Sequence, residues 1–397
     1  MRKILITLFI YIISTQLLVA QNLRKANHLF EKRAYVAATE LFLNQTDKTQ
    51  EVLEKLGDCY YYNSNMEEAS KWYGVLFSEY ENTTTPAYVF RYTQALKGKE
   101  KYAEADKLFE KYNEGIKVNT LGLFEALNAS IERPYIIHTV SENTNGSDFG
   151  TSFYGDKIVF ASTRSIGEAY DWNDQPYLDL YIAEVDNQDN LTNVSSLSNT
   201  INTKVHEANA VFTKDGNTMY FTRNNYHDGK KKRDENKISH LKIYSAKKVN
   251  GSWINIKELS FNSDNYSVSH PTLSKDESQL YFSSDMPGTL GSFDIFVVER
   301  NENGTYGTPK NLGSTINTEQ REQFPFVSKN NTLYFASDGH LGLGGLDIFK
   351  STMRDGNYSN PKNLSDKINS NLDDFAFIID ETSETGYFSS NRKGGKG

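Results

Sequence analysis

The residues that could do chemistry are few and scattered. Seven histidines stand at 28, 138, 206, 227, 240, 270 and 340, without metal-ligand spacing. His206-Glu207 runs on into Ala208-Asn209-Ala210, so the second histidine of an HExxH zinc helix is missing. No GxSxG nucleophile elbow occurs. Gly342-Leu343-Gly344-Gly345 lies between two strand-like runs, whereas a phosphate cradle needs a helix N-terminus after the glycines. Asp186–Asn190 lacks the pattern of a calcium loop. The single cysteine, Cys59, excludes a disulfide framework, a four-cysteine cluster and a CxxC site. Carboxylates such as Asp373-Asp374 are neighbours in sequence, which does not decide whether any pair flanks a substrate. The residues thus nominate no catalytic group, no metal ligand and no cofactor.

Composition narrows the rest. The chain has 397 residues, with Lys+Arg 43 against Asp+Glu 51 and a net charge of −8. That length suits two or three domains, and the mild acidity argues against nucleic acid as a partner. Tyr 25 and Phe 23 against only 8 Pro lean towards many strands. Residues 1–20, MRKILITLFIYIISTQLLVA, have the layout of a cleaved secretory signal, with Arg2 and Lys3 before an apolar run. No later stretch is long and apolar enough to cross a bilayer, so the mature chain is expected without a transmembrane segment. In an oxidising compartment the lone Cys59 would be buried.

Residues 22–118 carry apolar side chains at helical spacing. Ala38/Phe42, Ala69/Tyr73 and Ala105/Phe109 repeat a small-then-aromatic pair, with alanines 31 and 36 residues apart. Leu53-x-x-Leu56-Gly57-x-x-Tyr60, followed by Ala69 and Tyr73, resembles the tetratricopeptide (TPR) consensus. In that reading Gly57 and Ala69 let paired helices close up, with Tyr60 beside them. The resemblance implies that Glu51, Glu54, Asp58, Tyr61, Phe90 and Gln94 line a partner groove. Their alternative is an ordinary solvated face. Residues 119–134 read as a linker.

From 135 to 397 the pattern changes to short strands between Gly, Asn, Asp and Ser clusters. IVFAS, MYFTR, LYFSS, LYFAS and GYFSS place Phe160, Phe221, Phe282, Phe335 and Phe388 at spacings of 61, 61, 53 and 53. Tight polar turns precede them, and LDLYIA, LKIYSA, FDIFVV and LDIFKS follow the first four. Four strands per unit at this period mark β-propeller blades. The units resemble WD40-like repeats of the TolB type. Asp179, Asp294 and Asp347 recur as corner residues, and Lys242 replaces the aspartate in the second unit. The run 135–140 is expected as an outer strand closing the ring. The glycine-rich end at 391–397 stands where a third strand of the fifth blade would begin, so the sequence reads as truncated there, from a ring of six blades. The loops after Phe160 and Phe221 are the longest and carry Tyr170, Trp172, Lys231 and Arg233 as a candidate partner surface.

The expected fold is therefore multidomain, α plus all-β: a signal at 1–20, TPR-like hairpins at 22–118, a linker at 119–134 and a β-propeller at 135–397. This order resembles the N-terminal part of an OmpA-family envelope protein of the Bacteroidota type. Members of that family usually continue into a small β domain and a C-terminal OmpA-like domain that binds peptidoglycan. Some members are associated with type IX secretion or gliding machinery. The resemblance implies a non-enzymatic periplasmic scaffold at the outer membrane, with envelope or outer-membrane proteins as partners. Peptidoglycan would be reached only through a domain these residues do not contain. The alternatives are a propeller enzyme acting on carbohydrate or peptide, which would gather acids at its channel, and a TolB-like ligand-binding module.

Overall fold

A computed structural model of the chain describes residues 20–130, 135–227, 229–301 and 303–396. Residues 1–19 of the expected signal lie outside them. Two compact units emerge: residues up to Asn119 together with Ala169–Gln175, and Thr120–Glu168 together with Pro176–Gly397. Among the described residues no helix is long and apolar enough to cross a membrane.

The first unit is helical. Helix α1 covers 20–31, followed by α2 (Tyr35–Leu43), α3 (Gln50–Tyr62), α4 (Met66–Tyr80), α5 (Pro86–Gly98) and α6 (Tyr102–Tyr112). From α2 onward each helix packs on the next. Starts are capped in the ordinary ways. The Thr49 hydroxyl accepts the Val52 N–H, the Asn65 side chain accepts the Glu68 N–H, and Pro86 opens α5. Arg33, Ser64 and Glu100 turn the chain with left-handed φ of 60°, 55° and 61°, one in each of three interhelical turns. Ala38, Phe42, Ala69, Tyr73 and Ala105 are fully buried. A Cβ on Gly57 would stand 2.3 Å from the Tyr73 ring, so glycine lets α3 meet α4. The ring filling that space is Tyr73, not the expected Tyr60. Cys59 is buried, which pushes its thiol up to about 12 and keeps it unreactive.

The second unit opens with α7 (Thr120–Ala129), inside the stretch expected to be a linker; Phe124 on one face is buried. The remainder is a β-propeller. Among the described residues three sheets have four strands in meander order, and a fourth has five, with both Asn357–Tyr358 and Lys362–Asn363 pairing with Asp347–Arg354. Their innermost strands are Asp148–Tyr154, Glu207–Phe212, Val268–Leu273 and Glu322–Val327. A fifth sheet holds two strands, Asp374–Asp380 and Thr385–Ser390. The repeated aromatic positions are register partners: Phe160 faces Tyr181, Phe221 Tyr244, Phe282 Phe296 and Phe335 Phe349. These rings supply the core between sheets.

Five sheets complete the circuit, not the expected six. The innermost strand of the fifth sheet stands beside that of the first. Gly150 donates its N–H to Ser389 Oγ (3.1 Å), as His270 donates to Thr222 Oγ1 (2.9 Å) between the second and third sheets. Ser389 and Thr222 hold equivalent register positions, so the closing seam repeats an internal joint and leaves no gap for another sheet. Residues 135–140 form no strand, and Ile136 is 82% exposed. That expectation is also corrected, because this segment makes no ladder with the fifth sheet.

Candidate functional site

Each innermost strand carries a one-residue bulge at the same place. The residue there is left-handed in all five: Gly150 (φ 68°), Asn209 (46°), His270 (55°), Phe324 (52°) and Ala376 (52°). Glycine adopts this conformation freely, and the others carry strain of about 1 kcal/mol each. The same five residues line a cavity of about 510 Å³ in the propeller channel.

The inner end of the cavity is aromatic. Phe324 and His270 stack with centroids 3.8 Å apart. Phe324 also meets Phe375 at 4.7 Å, and Phe149 meets Phe375 at 5.7 Å. This cluster fills the middle of the channel. Burial pushes the His270 imidazole down to about 3, so it is neutral near pH 7. The walls are apolar, with Val211, Pro271, Leu273, Pro325 and Ile378. Among them stand two buried polar atoms without a hydrogen-bond partner, Asn209 Oδ1 and Thr151 Oγ1.

The outer rim is cationic. Lys214, Lys275 and Lys329 occupy equivalent places in the turns leaving the second, third and fourth innermost strands, and all are exposed. Lys329 pairs with Asp380 at 2.8 Å. The lining carboxylate, Glu277, accepts the Lys214 N–H at 2.5 Å. Asp215 and Asp276 fold back on their own turns, accepting from Thr213 and from Ser274 and Ser278.

The buried acids lie at the other end of these strands, in a pattern shared by four of the five blades. Thr144 donates N–H and hydroxyl to Asp148 (2.6 and 2.8 Å), Thr203 to Glu207 (2.9 and 2.6 Å), Thr318 to Glu322 (2.7 and 2.8 Å) and Ser370 to Asp374 (2.5 and 2.7 Å). Arg164, Arg223 and Arg392 neutralise the first, second and last. Glu322 instead accepts the Ser337 hydroxyl at 2.6 Å, while Arg321 pairs with Asp338. Burial pushes Glu322 up to about 7, and it raises Glu207 and Asp374 against their arginines. Glu207, Glu322 and Asp374 are 0% exposed and fix the chain's entry into their blades. The third blade uses a different solution. Val268 takes the acid's place and Asp264 the threonine's, and Lys242 binds Asp264 and Glu258, each at 2.6 Å. Asp294 and Asp347 accept backbone N–H groups of their glycine-rich loops, the corner role expected for them.

The residues nominated from sequence are dispersed. Asp58 is buried, accepts the Tyr73 hydroxyl and pairs with Arg91 at 2.7 Å. Tyr61 and Gln94 are buried as well, so these three present no open groove. Glu51 is exposed and pairs with Lys55; Glu54, which accepts from Gln50, and Phe90 are half-buried. Trp172 was expected at an exposed surface, but it lies within the helical unit. Its indole N–H donates to the Tyr62 carbonyl (3.1 Å), its ring meets Tyr35 edge-on at 4.9 Å, and Tyr170 stacks on its other side. Lys231 lies over the Tyr177 ring, and Arg233 donates to the Lys237 carbonyl. The channel residues had no common side-chain type to betray them. The Thr/Ser-x-x-x-Asp/Glu spacing at the start of four of the five innermost strands is a signal readable in the sequence.

No family model matches the chain, and no curated protein matches it. Solved structures do resemble it. An alpha-L-arabinofuranosidase from Lactobacillus brevis aligns with TM-score 0.40 and 13% identity, over 66% of this chain and 88% of its own. A putative TolB from Agrobacterium tumefaciens aligns with TM-score 0.37 and 15% identity, over 63% and 76%. A puromycin hydrolase aligns with TM-score 0.33 and 12% identity, over 56% and 41%. At these identities the likeness concerns the propeller fold alone.

Proposed function

We propose that the protein is a non-enzymatic binding scaffold of the bacterial envelope, exported to the periplasm and associated with the outer membrane. The observation that carries this reading is the division of labour along the innermost strands. The deeply buried acids are tied into entry loops, while the channel offers an aromatic, apolar, lysine-rimmed cavity suited to binding. The signal-like leader and the OmpA-family resemblance supply the compartment. The TPR resemblance makes the helical unit a second partner-binding element, with Glu51, Glu54 and Phe90 on its accessible side.

Reciprocal affinity capture of the full chain from envelope extracts should return one defined outer-membrane protein in stoichiometric amount. Failure to recover any stable partner in either direction argues against the scaffold.

A hydrolase reading draws on Glu207 and Glu322, whose raised proton affinity is what a general acid needs. Turnover of nitrophenyl arabinofuranoside or a peptidyl nitroanilide, lost in Glu322→Gln, would replace the scaffold reading with this one.

A further inference from the structure

We propose that the propeller cavity binds one small, uncharged aromatic lactam, a flat ring system with an N–H beside a C=O on its edge. This deepens the binding reading of that cavity given above and rests on it.

The recognising groups stand at one level of the channel. Asn209, His270 and Phe324 hold the same register position on three successive innermost strands, and Thr151 follows Gly150 in the equivalent bulge of the first. His270 and Phe324 stack on each other and both line the cavity, where their rings favour a further ring by offset or edge contact.

Beside them lie two buried oxygens with no hydrogen-bond partner among the described residues, Asn209 Oδ1 and Thr151 Oγ1. Asn209 is only 9% exposed, and an acceptor left unmatched at that depth is costly. The two residues adjoin. Asn209 Oδ1 lies 3.7 Å from where a Cβ on Gly150 would be, and Thr151 is the next residue. The carboxamide oxygen can only accept, whereas the hydroxyl can also donate. A ligand edge with an N–H for Asn209 and a C=O for Thr151 satisfies both.

The surroundings select against charge. Burial pushes the His270 imidazole down to about 3, so it is neutral near pH 7, and the walls at Val211, Pro271, Leu273 and Pro325 are apolar. An ion at this level would lose its hydration with nothing to replace it. At the rim the lysines are answered by acids. Lys329 pairs with Asp380, and Asp215 and Asp276 stand in the turns of Lys214 and Lys275. Hydrogen bonds from Thr213 to Asp215, and from Ser274 and Ser278 to Asp276, hold both carboxyls below their usual range and hence ionised. The opening therefore draws in neither sign of charge. Its volume of about 510 Å³ falls in the range of small-molecule sites.

The test is ligand-observed NMR titration of the full chain with the fused-ring lactam carbostyril. N-methylcarbostyril, which keeps the rings and the carbonyl but lacks the N–H, is its control. We expect saturable binding of carbostyril at about 1 mM or below, and about tenfold weaker binding of the N-methyl compound. In Asn209→Gly, which keeps the left-handed backbone, that preference should fall to about twofold or less. Thr151→Val should weaken carbostyril several-fold. Quinaldate, a carboxylate on similar rings, should bind about tenfold more weakly, and added salt should leave carbostyril unmoved. Circular dichroism verifies the fold of both variants. No saturation by carbostyril overturns the proposal. So does equal binding of the two lactams, a preference that survives Asn209→Gly, an unaffected Thr151→Val, or quinaldate binding as tightly as carbostyril. Partner capture is a separate readout, so the lactam can fail while the scaffold stands.

Discussion

The side-chain amide nitrogen of Asn209 lies 2.4 Å from where a Cβ on Gly150 would be, across the joint between the first two innermost strands. Gly150 also needs a left-handed φ of 68° and donates the hydrogen bond that closes the ring to Ser389. One position therefore combines a backbone demand, a steric demand and a seam contact. Gly150→Ala should cost about 2–3 kcal/mol in urea unfolding, from the φ penalty plus displacement of Asn209. Asn209→Ala in the same chain should return part of that loss, giving a non-additive double-mutant cycle. An additive cycle would mean the two side chains do not compete for space.

Lys242 replaces the aspartate found at equivalent places in three other sheets, and it is held by Glu258 and Asp264. Lys242→Asp would put a third carboxylate into that cluster at a position only 4% exposed. The expected loss is about 2–4 kcal/mol. Adding Asp264→Thr, which removes one of the three carboxylates and puts back the hydroxyl residue of the other blades, should recover a measurable share. No recovery would indicate that the cluster is not the source of the loss.

Two buried groups give stability opposite slopes against pH. His270 binds its proton less readily when folded, about 3 against 6.5, so it makes stability rise with pH between those values. Glu322 binds its proton more readily when folded, about 7 against 4.5, so it makes stability fall as pH rises through that window. Between pH 4.5 and 6.5 the two partly offset. Relative to wild type, Glu322→Gln should tilt the pH dependence of unfolding upward there and His270→Gln should tilt it downward, by up to about 1.4 kcal/mol per pH unit. Urea midpoints at pH 5 and pH 6.5 decide it, and identical tilts in both variants would contradict the assignment.

Trp172 sits within the helical unit, against Tyr35 and under the Arg33 guanidinium at 5.9 Å. Trp172→Ala should lower the stability of that unit by about 2 kcal/mol, less than for a fully buried tryptophan because the residue is only half-buried. Hydrogen exchange at the α2 and α3 amides should accelerate while exchange in the second to fourth sheets is unchanged. Unaltered protection of these helices would remove Trp172 from their core.

The repeats were legible because packing imposes them on side chains. Phe160, Phe221, Phe282 and Phe335 sit at equivalent register positions, and the sequence repeats the ring there for that reason. Blade count was misread because ring closure depends on the contact of Gly150 with Ser389, far apart in the chain and of ordinary residue type. The channel was illegible for a related reason. Its repeated feature is a backbone angle shared by Gly, Asn, His, Phe and Ala, and no side-chain pattern encodes it. Asp58 was misplaced for yet another reason. Helical spacing puts it on the face named from the resemblance, but Arg91 from the next helix pair closes over it.

The seam between Gly150 and Ser389 also has a temporal side. It joins residues 239 positions apart, the largest separation of any side-chain hydrogen bond described above. Sequential meanders are local and form early, whereas this contact must wait for nearly the whole propeller to be synthesised and for a long loop to close. Until then the first innermost strand lacks its neighbour from the fifth sheet, and its apolar residues are open to other chains. A growing chain is thus most vulnerable to aggregation just before its fifth sheet arrives. Slowing that arrival should injure yield more than any equal loss of final stability.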